Sequence, residues 1–498
     1  MNVNPITRLD YPDPDVIRVE DTYYMVSTTM HFMPGCEILQ SFDLVHWEHV
    51  TYVYETLDHT DAQQLKSGQN IYGQGMWAAS LRYHEGRFCI CFVANDTRKT
   101  YLYTSEKIDG PWKKQLIEGF YHDGSLLFDE DGRKYIVYGN DEIWITELNE
   151  DLTAPKKDGL HRLLVSDHKN PELGYEGSHI QKINGYYYIF LIHSLRDRWM
   201  RTEACFYSDS LEGEFTGGDV LCDDRGYCGQ GVAQGGIVDT PDGKWYAMLF
   251  QDSGAVGRIP ILLPVTWKDH FPFFGQNGHV PEEIEVHSTR PGYIYQPLVG
   301  SDDFCNGLLP RWQFNHDPDP RYYHLDALQG TYTITTREVC TELTQAVNTL
   351  TQRMSYPSCA AEVTVDASAL KEGDVAGLCA LQSCYAAVGI TKHHGKYEVL
   401  MLDKKEDGIL DMTEGTVVES HQMDFRLEAD FCNMKDEARC YYRVNKGDWL
   451  PIGTVHKLYF KLDHFTGCRF GLFCYAAEET GGSACFRDFK YYDVDEIS

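Results

Sequence analysis

Five segments in the first half of the chain repeat one pattern. VEDTYYMVS, HEGRFCICF, DEDGRKYIVY, INGYYYIFL and PDGKWYAML each set a polar or acidic pair and a turn residue before an apolar run. That is the signature of a tight hairpin between two strands. The turn residues Thr22, Gly86, Gly132, Gly185 and Gly243 are spaced by 64, 46, 53 and 58 residues. Units of that length hold several short strands, and a run of such units points to blades of a β-propeller. Long helical periodicity is nearly absent. The expectation is an all-β fold, a five-bladed β-propeller over residues 1–300 followed by a β-sandwich over 301–498.

Nine residues before each turn stand Asp13, Trp77, Asp123, Glu176 and Gln234. Equivalent positions of successive blades form a ring around the propeller axis, so these five should converge at one mouth of the channel. A lone Asp before a strand is commonly a turn cap. Five functional-type residues at equivalent positions are not explained that way. Asp13 lies in YPDPD, where two prolines stiffen the backbone. Glu176 lies between glycines in GYEGSHI, which permits close approach of a ligand.

Three convergent carboxylates fit glycoside hydrolysis, which needs one protonated and one ionised carboxyl group flanking the bond. A third carboxylate raises the acid's pKa by like-charge repulsion. Trp77 would offer a stacking face for a sugar, and Gln234 a hydrogen bond to a hydroxyl.

The series NPITRLDYPDPDVIRVEDTYYMVSTTMHFMPG, SFDLVHWEHV, YGQGMWAASLRYHEGRF, YHDGSLLFDEDGRKYIVYGN, LGYEGSHI, GGIVDTPDGKWYAMLFQD and VGRIPILLPVTW resembles glycoside hydrolase family 43, the five-bladed β-xylosidases and α-L-arabinofuranosidases. TLTQRM and GDVAGLCAL extend the resemblance into the C-terminal sandwich of its two-domain members. The resemblance implies an inverting mechanism with Asp13 as general base, Asp123 as pKa modulator and Glu176 as general acid. Inverting enzymes hold acid and base about 6.5–9.5 Å apart to admit a water. It also implies that Arg258 contacts sugar hydroxyls and that Phe32 and Trp77 line the pocket. Ser178 departs from the proline usual after the acid motif, and Ala233 and Gln234 stand where a histidine is common.

The implied activity is exo-release of xylose from β-1,4-xylo-oligosaccharides and of α-L-arabinofuranose. The alternatives are a nearly pure arabinofuranosidase and a sugar-binding propeller without catalysis. The chemistry needs no cofactor, and a structural or activating calcium stays open without a nameable ligand set. His31, in TTMHFMPG, should border the pocket, with substrate contact and loop packing both open. His179 could order the acid, a water or an ion, or be a satisfied core histidine.

Lys and Arg number 44 against 75 Asp and Glu, a net charge of −31. A phosphate-binding surface needs clustered cations, so nucleic acid and anionic membranes are unexpected partners. No apolar run is long enough to span a bilayer as a helix, and no export signal opens the chain. A cytoplasmic enzyme is expected, with homo-oligomerisation open. The 16 cysteines form no C-x-x-C pair and read as mostly buried free thiols.

Three motifs are discounted. Gly229, Gly231, Gly235 and Gly236 lead into a hairpin and not into the helix of a dinucleotide site. Asp129 and Asp131 lack the closing Glu of a calcium loop. Asn95-Asp96-Thr97 is a sequon by pattern alone. The segment VTWKDHFPFFGQNGHVPEEIEVHSTRPG reads as a linker or closing strap. Beyond it, YTITTREV, AAEVTVDAS, YEVLML, KLYFKLDHF and FGLFCYA read as antiparallel strands of the sandwich. The resemblance implies that this domain packs on the propeller and helps to block its pocket.

Overall fold

The hairpin turns recur as left-handed glycines: Gly86, Gly132, Gly185 and Gly243 have φ of 78°, 85°, 85° and 80°. Glycine takes that conformation without the Cβ clash that other residues meet. In the first unit the turn falls at Glu20, with φ of 56°, and the expected turn residue Thr22 is already the first residue of the next strand. The structure, a computed structural model, describes residues 2–493.

The hairpins build five antiparallel blades in chain order. Blade one is Asp15–Val19, Thr22–Val26, Gly35–Ser41 and Glu48–Tyr54. Blade two is Met76–His84, Arg87–Ala94, Lys99–Ser105 and Lys113–Ile117, and blade three is Ser125–Phe128, Lys134–Asn140, Glu142–Leu148 and His161–Ser166. Blade four is Glu176–Ile183, Tyr186–Ser194, Arg201–Ser208 and Thr216–Leu221. In blade five a broken inner strand (Val232–Ala233, Ile237–Asp239) precedes Trp245–Asp252, Arg258–Lys268 and Phe271–Phe274. VTWKDHFPFF is therefore the outer hairpin of blade five, and only the chain after it serves as strap.

Middle strands such as Arg87–Ala94 read as continuous apolar runs because neighbouring blades cover both faces. Phe92, 1% exposed, packs against Tyr54, Tyr101 and Tyr103, and truncating such a ring to Ala costs about 3–5 kcal/mol. Asn2–Val3 pairs with Glu283–Ile284 in a separate two-stranded sheet. There the Asn4 side chain donates to Leu262 O (2.8 Å) and accepts from Leu262 N (3.0 Å).

The second unit is a sandwich of two antiparallel sheets. One includes Leu350–Arg353, Asp374–Leu381, Ala386–His393, Lys396–Lys404 and Arg469–Ala476, and the other is centred on Ser358–Asp366, Gln422–Asp430 and Ser483–Asp493. The first sheet does not end within the sandwich. Its edge strand Gln313–Asn315 pairs with Phe32–Met33 of the propeller. Ala255, Val256 and Ile259 of blade five also join the sandwich core. Among the described residues there is no α-helix and no disulfide, and most cysteines are buried thiols.

Candidate active site

The innermost strands position the ring of residues through a repeated backbone device. Asp13, Asp123 and Gln234 have φ of 52°, 49° and 60°, and Ala78 and Gly177, just after Trp77 and Glu176, have 27° and 63°. Strand register shifts between Trp77 and Ser80 and between Glu176 and His179. Left-handed non-glycine residues and bulges cost local stability and persist where the surroundings hold them, typically at sites. Here they face five side chains toward one mouth of the channel.

Asp13 is buried and doubly held. Its Oδ2 accepts from the Thr28 hydroxyl (2.6 Å) and its Oδ1 from Arg258 Nη1 (3.0 Å). Thr28 in turn accepts the Ala78 N–H (2.8 Å), which ties blade one to blade two. Asp123 accepts the Gly177 N–H on Oδ2 at 2.9 Å. Burial first, then the charges of Glu176 and Asp13, push its carboxyl up to about 6 against the pull of His122. Glu176 accepts from Asn140 Nδ2 on Oε2 at 2.7 Å. Its side chain is 20% exposed against 7% for each of the other two carboxylates, so it is the one most open to an incoming ligand.

Arg258, 2% exposed, is placed on Asp13 and under the sandwich. Its guanidinium lies 4.1 Å from the Phe465 ring centre, and Nη2 donates to Phe465 O at 3.4 Å. Trp77 faces Phe465 at 5.5 Å and His122 at 6.1 Å between ring centres. The Gln234 N–H donates to the buried carboxyl of Glu203 (2.7 Å), which burial raises well above its ordinary range. His179 Nδ1 lies 3.1 Å from Asp15 Oδ1, so this histidine is held in the wall. It faces a space of about 10 Å³ on the axis that Asp13, Asp123 and Gln234 also line, the room of one water molecule.

Phe32 does not stand where the sequence places it, and of the two roles open to His31 the structure shows loop packing. Both are buried between the domains and do not line the axial space. The Arg469 guanidinium covers the Phe32 ring at 3.4 Å. His31 is enclosed by Phe32, Tyr72, His316 and His464 at 4.3, 4.7, 4.9 and 5.8 Å between ring centres. Phe32 was drawn away from the pocket because its backbone joins the sandwich sheet.

Residues 3–272 match the family model of glycosyl hydrolases family 43, and residues 301–492 match that of the beta xylosidase C-terminal concanavalin A-like domain. The chain belongs to glycosyl hydrolase family 43. A beta-xylosidase of Formosa agariphila is 26% identical over 554 residues, covering 99% of this chain and 89% of that protein. A non-reducing end alpha-L-arabinofuranosidase of Bacteroides ovatus is 24% identical, covering 82% of this chain and 79% of that one. A solved structure from Bacteroides eggerthii, described as a bifunctional GH43-CE, is 42% identical with a TM-score of 0.92. It is matched over 99% of this chain, which spans 64% of that longer one.

Several residues of this family 43 site escaped the sequence reading. His122 adjoins Asp123 in YHDG, and that adjacency was its signal; Asn140 ends Lys134–Asn140, the second strand of blade three, and carried none. Phe465 lies in KLYFKLDHF, which alternates like a strand. The strand is instead Leu450–Lys457, and the following loop crosses to the propeller. The Leu462 and Asp463 carbonyls press so close to Gly73 that a Cβ there would lie 2.5 Å and 2.7 Å from them.

Among the described residues, His122, Asp123 and Glu176 are the one trio of His, Cys, Asp or Glu with ligand atoms within 4.8 Å of one another. One nitrogen and two oxygens do not make the shell of six to eight oxygens that calcium takes. The trio alone therefore does not supply a calcium shell, and the calcium that the sequence leaves open gains no named ligand set.

Proposed function

We propose that this glycoside hydrolase is an inverting exo-enzyme that removes terminal xylose from β-1,4-xylo-oligosaccharides and also releases α-L-arabinofuranose. The observation that carries the reading is the Phe465 loop. It reaches from the sandwich onto Arg258 and Trp77 beside the three carboxylates, and a site walled in this way favours a chain end over a polymer's interior. Relatives named for beta-xylosidase and for alpha-L-arabinofuranosidase activity support both sugars.

In this reading Asp13, fixed by Arg258 and Thr28, takes a proton from a water. That water attacks the anomeric carbon from the face opposite the leaving group. Glu176, the most exposed carboxyl, gives its proton to the glycosidic oxygen as the C–O bond breaks. Asp123, held by the Gly177 N–H, keeps negative charge near Glu176 and so favours the protonated acid. Trp77 stacks on the sugar.

Proton NMR of the purified protein with xylobiose, beside an aryl α-L-arabinofuranoside, tests this. Immediate appearance of α-xylose is expected. Initial β-xylose would turn Asp13 into a nucleophile, and arabinose alone would restrict the enzyme to arabinofuranosides.

A further inference from the structure

His122 stands between the acid and its neighbouring carboxylate, and the proposed mechanism gives it no task. Its Nε2 stands 3.5 Å from Asp123 Oδ2 and 3.5 Å from Glu176 Oε2. It is shared between the two and too distant for a full hydrogen bond to either. The groups facing it are Asp123 on its own loop, Glu176 on blade four and Asp13 on blade one. Arg258 of blade five is already committed to Asp13, and Trp77 of blade two brings no charge. Three carboxyl groups therefore surround a ring that no other cation competes with.

The two oxygens of Glu176 are not equivalent. Oε2 receives the Asn140 amide at 2.7 Å and faces His122. An oxygen that accepts the Asn140 amide and faces the His122 nitrogen is a poorer seat for a proton than Oε1.

We propose that His122 is a positioning residue for the acid. As an imidazolium it engages Glu176 Oε2, confines the transferable proton to Oε1, and stabilises the negative charge left on the carboxylate as that proton passes to the glycosidic oxygen. The proposal rests on Glu176 being the general acid. A cation beside Glu176 favours loss of its proton, and a negative charge on Asp123 opposes that loss. The ring's own state agrees: the charge of Asp123, against burial and helped by Glu176 and Asp13, lifts its pKa to about 9.

The test compares pH profiles of kcat/KM for xylobiose, whose alkaline limb reports the acid in the free enzyme. His122→Gln keeps a donor and loses the charge. Its alkaline limb should move up by about one pH unit or more. Its activity on xylobiose at the native optimum should fall about tenfold, a fraction of the whole general-acid contribution. A dinitrophenyl xyloside, which needs little protonation, should lose far less. His122→Lys, which restores a cation, should bring the limb back toward the native position. A merely structural role predicts equal losses on both substrates and an unmoved limb, and either result overturns the proposal. Nitrogen-15 imidazole spectra of the native enzyme decide the matter even if a variant fails to fold. One ring should keep both protons at pH 8, and the absence of any such ring overturns the proposal. Glu176→Gln separates the two readings. If it cripples both substrates equally, the general-acid assignment falls. If it spares the dinitrophenyl xyloside while His122→Gln leaves the limb in place, His122 alone falls.

Discussion

Arg353 offers the sharpest test of how the sandwich serves the propeller. It is 4% exposed and reaches from the sandwich into blade one. Its Nη1 donates to Glu37 Oε2 at 2.9 Å, its Nε donates to Asp10 O at 2.9 Å, and its guanidinium lies 4.0 Å from the Tyr11 ring centre. Burial alone would raise the Glu37 carboxyl, yet Arg353 and His49 more than offset it and hold it at about 2, against an ordinary 4.5. That lowering corresponds to about 3 kcal/mol of stabilisation of the ionised carboxyl. Breaking a buried pair by removing one partner costs about 3–5 kcal/mol, which agrees.

Arg353→Met keeps the apolar stem and strands the Glu37 charge. It should lower stability by about 3–5 kcal/mol in urea titrations followed by tryptophan fluorescence. Adding Glu37→Gln should return about 2 kcal/mol or more of that loss, since the stranded charge is then gone. The sign with pH follows from a lowered carboxyl pKa. The contribution is present above about 4.5 and fades as pH falls toward about 2. The gap between native enzyme and Arg353→Met should therefore narrow below that pH. Activity should fail at lower urea than fluorescence does, because the Asp10 carboxylate holds both the Arg258 N–H and the Gly467 N–H, each at 2.8 Å. A coupling below about 1 kcal/mol, the worth of an exposed pair, would refute the account.

Glu176→Gln should lower kcat on xylobiose by about 10²–10⁴ and hurt aryl xylosides with good leaving groups much less, measured by initial rates. Asp13→Ala should depress all substrates alike, because every leaving group needs the activated water; retained activity would remove it as the base. Phe465→Ala takes away the ring over Arg258 and beside Trp77, a contact of about 1 kcal/mol. KM for xylobiose should rise several-fold, and xylopentaose should begin to be cut internally, as read by chromatography of early products. An unchanged KM with strict release of single sugars would show that the loop does not wall the site.

Much of the site was legible because a propeller is periodic. Once the turns at Gly86, Gly132, Gly185 and Gly243 were aligned, a constant offset named Trp77, Asp123, Glu176 and Gln234. The same offset from Thr22 named Asp13, even though the turn itself falls at Glu20. Local chemistry repeats in sequence when it repeats in space. His31 and Phe32 show where that logic ends. Their loop borders the pocket by sequence, but two residues of it leave the propeller and complete a sheet edge of the other domain. Backbone pairing over nearly 300 residues leaves no local mark.

The chain's own pattern of turns and apolar runs determines an all-β protein with five repeated blades, and the residues at equivalent positions determine which carboxylates meet. Contacts between elements far apart in the chain decided the rest. Only the fold brings Phe465 onto Arg258, sets Arg353 against Glu37, and suspends His122 between Asp123 and Glu176. The physical reason is that hairpins and strand patterns arise from neighbours in sequence, whereas charge, burial and the acidity of a carboxyl depend on whatever the fold places within a few ångströms.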